Sequence, residues 1–303
     1  NAVVAAKSAT TATTQLVNSF STSSFLGVGP LLNYRLGQVE SRSQAAGDDS
    51  EFESTSFSVT PTVATIDNRI EPILLDGRVS LVILGVEKFD EIDLIAKGIT
   101  LTIDQTSVTS TQRVTGTADT TTNVTGSGYT IAPYYVMQLE SGRLVDLNIG
   151  IGKNNLKTNA SSVSATPVSD RAFVSIGTSV VTPLEKSSYI QYKVALGYTY
   201  DGVAPYTQSD GTDITASTTR LTQITAGATY TRRFDGFSPF ASVTLVNNSL
   251  STSGGSGTQP REYDATLLLK TGVNFSSDAL YGTISVQGER GKTSVQAYGG
   301  LRF

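Results

Sequence analysis

The side chains able to do chemistry in this chain are carboxylates, ammonium and guanidinium groups, amides and hydroxyls, because its 303 residues include no Cys and no His. That composition excludes disulfides, thiolate nucleophiles, thiolate metal sites, imidazole general bases and any Ser-His-Asp triad. Carboxylate-only and Ser–Lys chemistry stay open in principle, but no spacing points to either. The sequence therefore predicts no enzyme, no cofactor and no metal site. What the spacing does show is polar residues set singly into alternating apolar runs. Asp146 and Asn148 alternate with Val145, Leu147 and Ile149, and Gln191 and Lys193 alternate with Ile190, Tyr192 and Val194. Asp264 and Lys270 stand on the opposite face from Leu267 and Leu269. Successive side chains of a strand point to opposite faces, so each run carries one apolar and one polar face.

The polar faces are otherwise built of Gly, Thr, Ser, Asn and Gln, where a face in bulk water would carry Lys and Glu. Such a face suits a confined lumen, with ion pairing and hydrogen bonding along its lining. Asp146, Asn148, Gln191, Lys193, Asp264 and Lys270 are predicted to line it. Ile149, Val194, Leu196 and Leu269 are predicted to face lipid, because charge on a lipid-facing surface is costly near the bilayer midplane. Tyr134, Tyr135, Tyr192, Tyr198 and Tyr230 are candidates for the interfacial girdles of a membrane barrel, a role for which the chain has no Trp.

The elements that must position these residues are strands. No window approaches eighteen consecutive apolar residues, so no transmembrane helix is expected. Asn1 opens no signal-peptide pattern, and an exported chain of this kind would already have lost its leader. Net charge is −4 with 16% charged residues, so there is no basic stripe to neutralise phosphates and no nucleic-acid partner is expected. Period-two alternation begins near residue 51 and predicts about twelve strands. They fall near 52–66, 78–88, 94–106, 127–139, 143–156, 170–182, 188–200, 219–234, 238–250, 263–276, 280–288 and 293–303. The connections after strands two, four, six, eight and ten are short. Those at 67–77, 107–126, 157–169, 201–218 and 251–262 are longer, and only the eleventh, at 288–292, breaks the contrast. Alternating short turns and long loops are the mark of an antiparallel up-and-down transmembrane β-barrel.

The last strand adds a second sign. Val295, Ala297, Gly299, Leu301 and Phe303 share one face, and the chain ends on the aromatic Phe303. This resembles the terminal signal of outer-membrane barrels that the barrel assembly machinery reads, carried here by Val295, Ala297, Leu301 and Phe303. Tyr298 departs from that pattern by lying on the lumen face.

Residues 127–250 resemble the β-domain of autotransporters, the type V secretion proteins. The likeness is carried by Gly128-Tyr-Thr-Ile-Ala-Pro-Tyr-Tyr135, Leu144-Val-Asp-Leu-Asn-Ile-Gly-Ile-Gly152 and Ala195-Leu-Gly-Tyr-Thr-Tyr200. Tyr206-Thr-Gln-Ser-Asp-Gly-Thr212, Thr219-Arg-Leu-Thr-Gln-Ile-Thr-Ala-Gly-Ala-Thr-Tyr230 and Ser238-Pro-Phe-Ala-Ser242 follow in order. The resemblance implies a twelve-stranded barrel over 51–303 that anchors and exports a passenger at the surface of a Gram-negative cell. It also implies that the small-residue segment within 1–50 threads the lumen as a helix followed by a linker. The residues themselves leave open whether 1–50 is such a plug or a tail. The implied location is the bacterial outer membrane, with long loops extracellular and the C-terminus periplasmic. The implied partners are membrane lipid and lipopolysaccharide, the assembly machinery, and a passenger domain or neighbouring surface proteins. The competing expectation is a stand-alone structural or porin-like surface barrel.

Overall fold

Val, Ile, Thr and Tyr at alternate positions favour a pleated backbone with one half-buried face. In the computed structural model those runs are strands almost throughout. The structure describes residues 53–70, 73–90, 95–112, 120–160, 163–185, 187–254, 262–277, 280–289 and 292–302. Twelve long strands build the wall. The first six are β1 (Glu53–Ile70), β2 (Ile73–Asp90), β3 (Ile95–Gln112), β4 (Thr120–Gln138), β5 (Leu144–Ala160) and β7 (Val168–Glu185). The others are β8 (Ser188–Val203), β11 (Ser217–Arg232), β12 (Phe237–Gly254), β13 (Glu262–Ser276), β14 (Leu280–Glu289) and β15 (Lys292–Arg302). Three short strands, β6 (Val163–Ala165), β9 (Tyr206–Thr207) and β10 (Asp213–Ile214), decorate one rim.

Each long strand pairs antiparallel with its neighbours in chain order, and β1 pairs with β15 through contacts such as Val59↔Gly299 and Val63↔Val295. The sheet is thus a closed ring of twelve, as the alternation predicts. Closure matters because hydrocarbon offers no partner to an open strand edge, so only helices and closed barrels span a bilayer.

The two faces differ as the sequence predicts. On β5 the side chains of Leu147, Ile149 and Ile151 are exposed, while Asp146 and Asn148 are buried on the inner side. The outer face carries an apolar belt that passes around all twelve strands. It runs through Val82 and Leu84 on β2, Ile176 on β7, Val194 and Leu196 on β8, Leu245 on β12, Leu269 on β13 and Ile284 on β14. A water-soluble monomer rarely shows an apolar patch beyond a few hundred Å². A belt on this scale needs lipid or detergent.

The predicted loops need correcting at one rim. The span 67–77 is ladder up to Ile70↔Ile73, leaving only 71–72 between β1 and β2. The spans 107–126 and 157–169 are likewise mostly strand, 251–254 belong to β12, and 204–216 carries the β9–β10 hairpin. Crossing a membrane takes roughly 9–11 residues, whereas most of these strands have 16–19. The extra length stands beyond the belt, where the outer face no longer meets lipid and turns polar. Period-two alternation vanishes there, and the segments read as loop. β14 and β15, at 10 and 11 residues, are only long enough to cross.

Inside, near the rim with short turns, a cluster of buried side chains crosses the wall: Phe89, Tyr134, Val136, Leu144, Tyr281 and Tyr298. The Tyr281 and Tyr298 rings lie 5.6 Å apart, and the Tyr134 hydroxyl donates to Glu87 Oε2 at 2.8 Å. Tyr134 is therefore not a girdle residue. Neighbours in a strand point to opposite sides, so only one of Tyr134 and Tyr135 can face lipid, and that one is Tyr135. Tyr192, Tyr198 and Tyr230 are also outward. Two inward glycines make room for the rings. A Cβ on Gly98 would run into the Tyr134 ring, and one on Gly300 into the Tyr281 ring.

Candidate functional site

The inner face of the wall is the surface on which the chain's polar chemistry is collected. Its ladders place Asp146 of β5 opposite Gly177 of β7, and Lys193 of β8 opposite Ser179 of the same strand. Gly177 has no side chain to obstruct the path, so the Lys193 ammonium reaches across β7 to Asp146 Oδ1 at 3.1 Å. One register step away, Gln191 donates from Nε2 to Ser179 Oγ at 3.2 Å. Asn148 is buried on the same inner row as Asp146. Four of the six residues predicted as lining are thus gathered on β5 and β8.

The other two are elsewhere. Lys270 on β13 reaches past β14 to donate to Gln296 Oε1 on β15 at 3.3 Å, with its Nζ 5.8 Å from the centre of the Phe240 ring. Asp264 has the inward parity of Leu268 and Lys270 but is exposed, high on β13 beside Asn248 of β12. Of the C-terminal residues, Val295 and Leu301 are exposed on the outer face and Ala297 is half-buried there. Phe303 lies outside the described residues, as do residues 1–50 and the plug or tail expected for them.

The strongest polar cluster was not found from the sequence. Arg171 on β7 sends Nε to Asp201 Oδ2 on β8 at 3.3 Å and Nη1 to Asp104 Oδ1 on β3 at 3.4 Å. The side chains of all three are 2% exposed or less. Reaching β3 from β7 means crossing the inner faces of β5 and β4. The ladders put Gly152 beside Arg171 and Gly128 beside Asp104, two glycines on the diagonal between them, with the buried Thr130 and Asn154 on either side. A signal was present: Arg171, Phe173, Ser175 and Gly177 share the face opposite Val174 and Ile176. A charge on that parity had to point inward and needed partners.

Each of these links joins two or more strands, two of them as ion pairs and two through an amide that meets a hydroxyl or an ammonium. Among the described residues no group of three or more acidic residues is placed to hold a metal ion. The arrangement is suited to tying the wall together and to presenting a hydrophilic inner surface.

Neither a family model nor a curated relative matches the sequence. Solved structures do match. The transport unit of the autotransporter AIDA-I from Escherichia coli is 12% identical, over 89% of this chain and 97% of that one, with a TM-score of 0.59. The translocator domain of the autotransporter NalP from Neisseria meningitidis is 9% identical, over 91% of this chain and 97% of that one, with a TM-score of 0.63. An outer-membrane channel from Pseudomonas putida F1 is 10% identical, over 85% of this chain and all of that one, with a TM-score of 0.50. At such identities the likeness is one of fold, and the fold of this chain is that of the autotransporter translocator domains, a closed antiparallel barrel of twelve strands.

Proposed function

We propose that the chain is an outer-membrane barrel acting as a translocator, anchoring a passenger and carrying it to the cell surface. The observation that carries this reading is the pairing of an apolar belt with a polar inner face on a ring of twelve strands. Eight strands close on a filled interior and sixteen leave an open channel, so twelve enclose an intermediate lumen, wide enough for about one slim polypeptide segment. In this reading the tall rim is extracellular and the short-turn rim, where β15 ends, is periplasmic. The outward row of β15 is presented to the assembly machinery, and the belt to membrane lipid. The inner ion pairs keep the lumen wall hydrophilic without chemistry of their own.

The test is export. A protease-sensitive reporter fused ahead of Asn1, behind a secretory leader, should be cleaved by protease added to intact cells. A barrel that assembles while its reporter stays protected in the periplasm would refute translocation.

The second reading, a stand-alone channel or structural surface barrel, is favoured by the fold likeness to the P. putida channel. Planar-bilayer recordings separate the two. A plugged translocator conducts poorly until residues 1–30 are deleted, whereas a porin-like barrel conducts equally well with and without them.

A further inference from the structure

On the outer face, just beyond the apolar belt, β2 to β5 and the start of β7 enclose a polar groove of about 980 Å³. Its composition follows from the register. The uppermost belt row is Val82–Ile103–Tyr129, ending on Lys153 of β5. Two residues further along each strand comes a row of Ser80, Gln105, Ser127 and Asn155. Two further still, the row is Arg78, Ser107, Thr125 and Lys157, with a cation at each end and hydroxyls between.

The heights are informative. Two residues advance about 7 Å along a strand, or roughly 5 Å in height at a barrel tilt near 40°. On its own strand, each residue of the amide and hydroxyl row therefore stands about 5 Å above the belt residue beneath it, and each residue of the cationic row about 10 Å above. The polar headgroup layer occupies about 5–7 Å on each side of the hydrocarbon. The groove lies at that level and just above it, and it opens outward, toward the lipid.

The charges are also informative. Lys153 is paired with Asp170 at 3.6 Å. Arg78 and Lys157 are exposed, and neither has an ion-pair or hydrogen-bond partner among the described residues. They stand three strand spacings apart, about 14 Å. Side chains that stand outward from the wall keep that separation, and two phosphates on the ends of a sugar body match it, whereas a single phosphate would need both side chains folded toward each other over the groove.

We propose that this groove binds the headgroup of a bis-phosphorylated glycolipid. Arg78 and Lys157 each hold one phosphate, the Ser, Thr, Gln and Asn side chains between them hydrogen-bond the sugar, and the acyl chains descend along Val82, Ile103 and Tyr129. Arginine and lysine are suited to this role as donors to phosphate oxygens. The inference rests on the reading of the chain as a membrane barrel, and its test keeps the two apart.

The full chain in non-ionic micelles is titrated against a fluorescent bis-phosphorylated glycolipid, with binding read by anisotropy. The double variant Arg78→Ala/Lys157→Ala should bind at least tenfold more weakly. Arg220→Ala, which removes an outward cation on β11, should bind as the unaltered chain does. Arg78→Lys/Lys157→Arg should retain binding. Equal binding by the double variant would overturn the proposal, as would equal affinity for the dephosphorylated lipid. Displacement of the lipid by millimolar inorganic phosphate alone would also overturn it, in favour of a site for a soluble anion. A chain that does not enter micelles fails at the earlier step, as a membrane barrel. A chain that enters them, folds and shows no preference for the phosphorylated lipid fails only here.

Discussion

Replacing Arg171 with Met tests whether the inner ion cluster is dry. The substitution keeps most of the side-chain volume and removes the cation that Asp104 and Asp201 share. Both carboxylates would remain where they are almost wholly out of solvent. Breaking a buried pair by deleting one partner costs about 3–5 kcal/mol, because a charge is left without compensation. Exposed pairs cost about 0–1 kcal/mol. The side-chain exposures of 0–2% place this cluster in the first class. Arg171→Met should therefore destabilise the barrel by about 3 kcal/mol or more, whereas the triple variant Arg171→Met/Asp104→Asn/Asp201→Asn should recover most of the loss. The chain has no Trp, so unfolding in urea is followed by far-ultraviolet circular dichroism and by the mobility of unheated samples on gels. A loss below about 1 kcal/mol in Arg171→Met would refute the dry cluster. Failure of the triple variant to recover would refute the electrostatic account in favour of lost packing.

Other outcomes follow from the same wall. Gly98→Ala and Gly300→Ala should each cost about 1–3 kcal/mol by overpacking. Adding Tyr281→Ala to the second, where the added Cβ would meet that ring alone, should relieve it, measured as the folded fraction on refolding; no relief would remove the ring as the cause. Lys193→Gln should cost about 1–3 kcal/mol, because the Asp146 carboxylate left behind is only 5% exposed, while Val194→Arg should cost about 2–4 kcal/mol near the midplane. Single cysteines at the same two positions check the faces by labelling. Water-phase reagent should reach 193 and lipid-phase reagent 194, and the reverse would invert the wall. A double-mutant cycle over Asp146 and Lys193 should give a coupling of about 1 kcal/mol, and zero coupling would mean that the ion pair adds nothing.

How much was legible in advance depended on what each segment touches. Where one face meets the belt and the other the lumen, as in Val145–Ile151 or Ile190–Thr199, alternation is enforced and the strands were readable. Beyond the belt that constraint lapses. In Gln105–Gln112 of β3 and Thr120–Ser127 of β4 both faces are rich in Thr, Ser and Asn, so ladder was mistaken for loop. Facing directions along β5 and β8 followed from parity. Partnerships did not, because Arg171 meets Asp104 only after crossing two strands, and sequence spacing does not encode which inward glycines line up beneath it. Tyr134 was misread because an aromatic–aromatic pair looks like a girdle until parity divides it.

The shortness of β14 and β15 has a consequence for anything that passes through the lumen. Their hairpin ends at Glu289↔Lys292, and the β13 residues that precede Leu269 have no ladder partner on the β14 side. Beside it β13 continues for seven more residues, 262–268, roughly 18 Å of additional height once tilt is allowed for. The mouth is therefore cut on a bevel, with its low lip close to the level where the belt ends. If the barrel is a translocator, a chain emerging there would be turned aside over the β14–β15 lip rather than sent straight up the axis. Its first free residues would leave the barrel near the membrane surface, with the β5–β7 wall at their back.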